Sequence, residues 1–346
     1  FRFRQAIPKY QLPRFFVTSY MLRLLFLSLS LVLLSKLWAQ DIHWTQFNQN
    51  PIYLNPAHAG NFDEDLRLTA NYRTQWRSVS IPFQTTALAA DTKWKELGLG
   101  LNLFHDQVGD GKFQTFELQT SIAKSLQLNQ EQHLRLALQV GINYRQLNSA
   151  AFYFDSQFNG YIFDPTTPTN ENFQTASMLK PMLGFGAIHQ YQINHSLRLE
   201  QGFGLFNLTR PNQSFFLENT KRDLRLNYFG SLYYDYYPKL SLQPSIQLNF
   251  QGPYRLVVLG SMAHYKFSEA NAILLSGGLW WRIQDAFCLN FGFQRGPLYT
   301  GISYDFNYSS LVPASRGRGA FELSFRYVFI RFKPPQKQYR ICPDYI

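Results

Sequence analysis

The stretch HLRLALQVGINYR, residues 133–145, alternates apolar and polar side chains with a period of two. One side carries Leu134, Leu136, Leu138, Val140, Ile142 and Tyr144, and the other carries Arg135, Gln139, Asn143 and Arg145. Such alternation predicts a β-strand with one apolar face. At about 3.3 Å per residue the strand spans roughly 40 Å, longer than the five or six residues usual in soluble sheets. Its apolar face therefore needs either a packed core or lipid.

The composition favours lipid. Charged residues make up 16% of the 346 residues and aromatic residues 17%, whereas ordinary globular domains are about 25% charged. The mean hydropathy is only −0.24. No apolar run of about 20 residues, the length of a transmembrane helix, follows residue 40. These properties are typical of a transmembrane β-barrel, in which the strands are apolar at alternate positions only.

Residues 21–39 have the pattern of a secretory signal peptide: a basic start at Met21-Leu22-Arg23, a short apolar run at 24–34 and a small residue, Ala39, at the end. An N-terminal membrane anchor is the alternative, but the apolar run is short for a span. Residues 1–20 are predicted to be a non-native upstream extension. Without residues 1–40 the 33 basic residues fall by six to 27, against 22 acidic ones. The remaining basic residues are scattered, so no nucleic-acid partner is expected.

The same alternation recurs along the chain and predicts an all-β fold, a transmembrane antiparallel β-barrel of about 14 strands over residues 65–332. Closure is expected because an open sheet edge in lipid would leave backbone groups unpaired. The candidate strands lie near 65–76, 82–94, 96–106, 112–125, 131–146, 178–192, 196–208, 223–236, 239–250, 253–266, 271–283, 285–294, 297–307 and 320–332.

The connections predict the orientation of the barrel. Long connections at 147–177, 209–222 and 308–319 follow odd-numbered strands, and short turns follow even-numbered ones. Outer-membrane barrels have long external loops and short periplasmic turns, so both termini are predicted to be periplasmic. Residues 40–64 form the predicted periplasmic N-terminal segment and 333–346 the periplasmic tail. The aromatic loop 147–177 is either an outward contact surface or a loop folding over the barrel mouth.

The sequence contains no recognisable catalytic or metal-binding motif. The seven histidines lack metal-ligand spacing, and the acidic stretch at 62–65 lacks the pattern of a calcium loop. We expect no enzyme activity, no metal and no cofactor, although a catalytic triad assembled from distant residues stays possible. Pairing of Cys288 with Cys342 is also left open. Glycines at spacing two are predicted either to make room for larger neighbours inside the barrel or to ease bending of the strands: Gly98, Gly100, Gly184, Gly186, Gly202 and Gly204.

The segment QFNQNPIYLNPAHAG, residues 46–60, contains two Asn-Pro pairs and ends in Gly60, which permits a turn. It resembles the opening of the PorP/SprF family, outer-membrane proteins of the type IX secretion and gliding motility systems of Bacteroidetes. Later blocks resemble the family in the same order: NYRTQW (71–76), PFQTTALAAD (82–91), LGLGLNLFHDQVG (97–109), LQPSIQLNF (242–250), GGLWWRIQDAF (277–287), GISYDFNYSSL (301–311) and Cys342-Pro343. One departure is Phe321, where the family commonly has a His before the Glu.

The resemblance implies a non-enzymatic barrel, integral to the outer membrane after signal-peptide cleavage. It would assist export or surface attachment of cargo with a C-terminal sorting domain, or act as an apparatus component. The implied partners are the lipid bilayer and cargo or periplasmic apparatus proteins. Two alternatives are a passive porin or small-solute channel and a soluble exported β-protein. The motif residues, expected to serve structure or partner contact, are Gln46, Asn50, Pro51, Tyr53, Leu54, Asn55, Pro56, Gly60, Tyr72, Arg73, Trp76, Phe83, Asp91, Asp106, Gly109, Pro244, Ser245, Arg282, Tyr304, Asp305, Glu322, Cys342 and Pro343.

Overall fold

The computed structural model describes residues 41–330, apart from 78–80, 110–112, 149–151, 159, 170, 172, 174, 217 and 311. The predicted upstream extension, signal peptide and C-terminal tail, with Cys342 and Pro343, lie outside the described residues. Within the described part, no helix is long and apolar enough to cross a membrane. Cys288 is buried and makes no disulfide with any described residue.

Fourteen antiparallel strands form one closed barrel, as the sequence predicts. Closure is made by β1 and β14, which pair from Leu66 opposite Phe329 to Gln75 opposite Ala320. The strands are β1 Leu66–Gln75, β2 Phe83–Trp94, β3 Leu97–Val108, β4 Phe113–Gln127, β5 Gln132–Gln146, β6 Ser177–Asn194, β7 Leu197–Phe206, β8 Arg225–Tyr237, β9 Leu240–Gln251, β10 Tyr254–Ser268, β11 Ile273–Arg282, β12 Ala286–Arg295, β13 Leu298–Asn307 and β14 Arg318–Phe329.

Among the residues that the structure describes, helical structure is confined to single turns. The α-helical turns are α1 Pro51–Leu54 and α2 Val312–Ser315, and the 3₁₀ turns are Phe47–Gln49, Pro56–His58 and Asp155–Gln157. Three of these five turns fall between residues 47 and 58, ahead of the first strand. The segment before the barrel is therefore compact.

The two faces of each strand differ in polarity and exposure, as residues 133–145 predict. In β5, Leu138 is 57% exposed on the outer face, whereas Gln139 and Asn143 are buried on the inner one. The outer face is apolar along its middle and carries aromatic side chains near both ends, the pattern of a membrane-spanning barrel with two aromatic girdles. Outward aromatics near the strand ends include Trp94, Tyr234, Tyr236, Tyr265, Phe267, Tyr327 and Phe329 at one end and Phe116, Trp281, Phe287 and Phe306 at the other.

The barrel has two distinct rims. The turn rim holds the short connections after even-numbered strands, and the first strand begins and the last strand ends there, at Leu66 and Phe329. The loop rim holds the long connections 147–176, 207–224 and 308–317. Two loop-rim connections, 252–253 and 283–285, are nevertheless tight turns. The loop rim is the outer one when the barrel is oriented as outer-membrane barrels are.

Candidate functional site in the barrel lumen

The lumen is filled by residues 41–60, which we call the plug. Trp44, Phe47 and Ile52 are at most 3% exposed inside the barrel. The sequence predicts a periplasmic position for residues 40–64, and the structure differs for residues 41–60, which pack within the lumen. This position stabilises both parts: the plug buries its apolar side chains there, and the inward polar groups of the strands obtain hydrogen-bond partners from the plug backbone.

The plug runs through the barrel from rim to rim. At the loop rim the Asp41 backbone N–H donates to Gln251 Oε1 at 2.7 Å. At the turn rim the Gly60 backbone N–H donates to Asp91 Oδ2 at 2.8 Å. Gly60 has a φ of +63°, a value that favours glycine, and there the chain turns from the lumen towards β1.

The two Asn-Pro pairs give the plug its compact shape. Pro51 and Pro56 each stand at the start of a helical turn, where the missing N–H costs no hydrogen bond. The Asn55 side chain accepts from the Ala57 N–H at 3.0 Å and donates to the Ala187 carbonyl of β6 at 3.1 Å. The family-like motif therefore both folds the plug and ties it to the wall.

Inward glycines let the plug approach the wall closely. A Cβ on Gly100 would lie 2.9 Å from Ala59 Cβ and 3.0 Å from Ile52 Cδ1. A Cβ on Gly98 would overlap the Ala59 carbonyl, and one on Gly186 would overlap the Asn55 side chain. The predicted role of these glycines, making room for larger neighbours, is the one seen in the structure.

The first ion-pair cluster, the Asp305 cluster, consists of Arg73, Arg282, Asp305 and Glu322. Asp305 Oδ2 accepts from Arg73 Nη2 at 3.0 Å and from Arg282 Nη2 at 2.7 Å, and Arg73 Nη1 lies 3.0 Å from Glu322 Oε2. The Glu322 carboxylate also accepts the backbone N–H groups of Thr45 and Gln46, at 2.9 and 2.8 Å. This cluster binds plug backbone to β14.

The second, the Asp41 cluster, consists of Asp41, Glu117, Arg222 and Arg225. Arg222 bridges Asp41 at 2.7 Å and Glu117 at 2.8 Å. Burial would raise the pKa of Asp41, but Arg222 and Arg225 outweigh it and hold that pKa below its ordinary value. Burial likewise opposes the charge of Arg222, yet Asp41 and Glu117 raise its pKa. The start of the plug is thus held as a charged pair.

The third, the Asp91 cluster, consists of Gly60, Arg67, Asp91 and Arg135. Arg67 binds Asp91 through two nitrogens, Nε at 2.9 Å and Nη2 at 2.7 Å. Arg135, from the opening stretch, donates to the carbonyls of Ala57 at 3.0 Å and Ala59 at 2.7 Å. Bidentate, charge-assisted bonds of this kind are among the stronger hydrogen bonds in proteins, so they fix the end of the plug.

The structure joins some motif residues and leaves others apart. Gln46, Arg73, Arg282, Asp305 and Glu322 meet in one place, since the Gln46 side chain bonds to β14 at Glu322 and Ser324. Gly60 meets Asp91. The motif residues of the barrel that take no part in these three clusters are Tyr72, Trp76, Phe83, Asp106, Gly109, Pro244, Ser245 and Tyr304.

Several residues of the clusters were not singled out from the sequence: Asp41, Glu117, Arg222, Arg225, Arg67 and, as a plug ligand, Arg135. Except for Asp41, which begins the plug, their only sequence signal is a charged side chain on an inward strand position or just before a strand. That pattern alone does not tell which charge it meets across the lumen. No group of three or more metal-ligating side chains occurs in the part of the chain that the structure describes.

The family and the fold of the chain are both matched among known proteins. The family model described as "Type IX secretion system membrane protein PorP/SprF" matches residues 37–327. The chain belongs to the PorP/SprF family. The resemblance drawn from residues 46–60 and from the later blocks up to 301–311 is thereby confirmed, whereas Cys342-Pro343 lies outside the matched region. That region includes the plug and the barrel up to residue 327.

Solved structures similar to this PorP/SprF chain are outer-membrane barrels. The toluene transporter TbuX of Ralstonia pickettii is 10% identical, covers 81% of this chain and 94% of its own, and has a TM-score of 0.51. The monoaromatic hydrocarbon channel CymD is 11% identical, covers 82% and 94%, and has a TM-score of 0.50. At such identities the likeness shows the fold alone. No curated protein matches the chain. Family and fold together support an integral outer-membrane location.

Proposed function

We propose that this chain is a non-enzymatic barrel of the type IX secretion system that assists the export or surface attachment of cargo with a C-terminal sorting domain. In the other version of this proposal, the barrel is a component of the secretion apparatus and contacts periplasmic secretion proteins. The observation that carries the proposal is family membership over residues 37–327. The plugged lumen supports it, because a barrel that works by contacting partners needs no open channel.

The plug argues against a passive porin. It crosses the lumen from Asp41 at the loop rim to Gly60 at the turn rim, and charge-assisted hydrogen bonds fix it near both ends. A small-solute channel requires a continuous aqueous path through the barrel. Planar-bilayer recordings of the purified protein separate the two functions: the plugged barrel gives no stable channels, whereas a porin gives stepwise conductance.

The export role is tested by deleting the gene and comparing surface and secreted proteomes with those of the parent strain. The proposal expects one surface protein, or several, to disappear from the surface and to accumulate inside the cell. Complementation with wild type and with Gly277→Ala should restore them, since nothing lies within 4 Å of a Cβ at residue 277. Unchanged surface and secreted proteomes would contradict the proposal.

A further inference from the structure

A polar cavity of about 270 Å³ lies at the loop rim beside the start of the plug. Its lining includes His43 of the plug and Arg73, Tyr254, Arg255, Arg282 and Asp285 of the barrel. The barrel residues come from β1, from the β9–β10 and β11–β12 regions and from β13–β14. These elements make up one half of the loop rim, which we call the basic half.

The basic half has an excess of positive charge. The buried Arg73 and Arg282 are neutralised by Asp305 and Glu322, and Asp285 lies 2.5 Å from Arg282. Four further arginines are exposed on the same half: Arg77, Arg255, Arg316 and Arg318. None of these four forms an ion pair with any residue that the structure describes. Six arginines thus face three carboxylates, an excess of three positive charges.

The opposite half of the loop rim differs in charge. Residues 147–176 include Asp155, Asp164 and Glu171 and contain no Lys or Arg. Phe173 of this loop packs against Phe216 of the next long loop at 4.9 Å, while Tyr161 is 95% exposed. That next loop, residues 207–224, carries Arg210, Lys221 and Arg222 against Glu218 and Asp223, so the two loops together hold three basic and five acidic residues. The excess of positive charge therefore belongs to the half that holds the cavity.

Guanidinium groups bind carboxylates with two parallel hydrogen bonds, and an arginine cluster around a cavity is suited to acidic recognition. His43 adds no further positive charge, because burial, then Arg282 and Arg73, lower its pKa well below the ordinary value. We propose that the basic half of the loop rim binds an acidic segment of a partner protein. Carboxylates of the segment pair with the exposed arginines, and the end of the segment occupies the cavity. The pairing arginines are Arg77, Arg255, Arg316 and Arg318. The partner's nature as an exported protein rests on the proposed function.

A protein segment is favoured over an anionic lipid by the position of the cavity. Its lining includes the inward-facing Arg73, Arg282 and Asp305 and the plug residue His43, so it opens to the aqueous mouth and not to the bilayer. Lipid headgroups would meet the outer face of the barrel. An anionic lipid is therefore an outcome that the experiment must exclude.

The experiment measures binding of a fluorescent peptide of about ten residues, rich in Asp and Glu, to the purified protein in detergent micelles. The same peptide with Asn and Gln in place of the acids is the peptide control. The test variant is Arg255→Glu with Arg316→Glu. The matched control is Lys239→Glu with Lys266→Glu, which changes the charge equally at the turn rim.

We expect saturable binding of the acidic peptide only, about tenfold weaker in the test variant and unchanged in the control variant. Binding should also weaken between about 0.05 and 0.5 M salt because exposed charges are screened. Three results would overturn the proposal: no saturable binding by wild type, equal losses in both variants, or displacement of the peptide by anionic lipid vesicles with the same dependence on Arg255 and Arg316. If the peptide does not bind but gene deletion still removes cargo from the surface, the proposed binding of an acidic segment is refuted and the proposed export function is still supported.

Discussion

Replacing Gly98 by alanine should displace the end of the plug from β3 while leaving the strands intact. The new Cβ would overlap the Ala59 carbonyl oxygen and lie 2.8 Å from its carbonyl carbon. Carbon atoms pack at about 3.5–4.0 Å, so the plug must retreat by roughly 1 Å. Arg135 Nη2 lies 2.7 Å from the same oxygen. After such a shift this hydrogen bond would be about 3.7 Å long and lost.

The expected cost combines two contributions. Overpacking a filled interior costs about 1–3 kcal/mol, and losing a hydrogen bond to a charged group costs about 1.5–3 kcal/mol. Together they lower the free energy of unfolding by roughly 2.5–6 kcal/mol. Urea unfolding in micelles, followed by tryptophan fluorescence, measures this loss. Chymotrypsin cleavage at Tyr53 provides a second readout, since its side chain is packed against Phe104 and bonded to Arg225 in the native lumen.

Gly277→Ala is the matched control, because nothing lies within 4 Å of a Cβ at that position in β11. Its stability should stay within about 0.5 kcal/mol of wild type. If Gly98→Ala unfolds like this control and Tyr53 stays protected from chymotrypsin, the plug does not contact β3 as described.

Three further predictions concern the charged groups of the lumen. Arg135→Met should lower the urea midpoint and expose Tyr53, because the carbonyls of Ala57 and Ala59 lose their donor. Asp305→Asn should destabilise the barrel by about 3–5 kcal/mol because it removes the carboxylate that the buried Arg73 and Arg282 share, whereas Asp164→Asn in the exposed loop should have almost no effect. Burial, together with Arg67 and Arg135, lowers the pKa of His58 to about 4 although Glu200 opposes this. The unfolded chain then binds the extra proton, so stability should fall by about 3 kcal/mol as pH drops from about 6.5 to 4, and His58→Gln should flatten this dependence.

The strands could be predicted closely because lipid on one side and a polar lumen on the other leave an unbroken alternation. In β5 each outward position from Leu134 to Tyr144 is apolar, and the inward positions are polar except for the small residues Ala137 and Gly141. The structure starts β14 two residues before the predicted start and ends it three residues before the predicted end. Boundaries shift more readily than elements because the last pairs of a ladder depend on the neighbouring strand.

The position of the plug could not be predicted in the same way. Its motif, residues 46–60, has no strand or helix periodicity, and its partners lie far away in the sequence. Thr45 meets Glu322 across 277 residues, and Asn55 meets Ala187 across 132. The inward glycines at 98, 100 and 186 signalled that something approaches the wall, but not which segment does so. Arg135 was correctly placed on the inner face, yet its backbone ligands became visible only in three dimensions.

The account depends most on the plug lying inside the barrel, and a disulfide tests this directly. Ala59 Cβ lies 2.9 Å from a Cβ built on Gly100, so a small relaxation reaches the separation of about 3.5–4.5 Å that a disulfide needs. In a variant with Cys288 and Cys342 replaced by alanine, Ala59→Cys with Gly100→Cys should cross-link on mild oxidation in native membranes. Ala59→Cys with Gly277→Cys should not, since β11 lies elsewhere on the barrel and residue 277 faces outward. Peptide mass spectrometry that finds both thiols of the 59/100 pair free would contradict a plugged lumen.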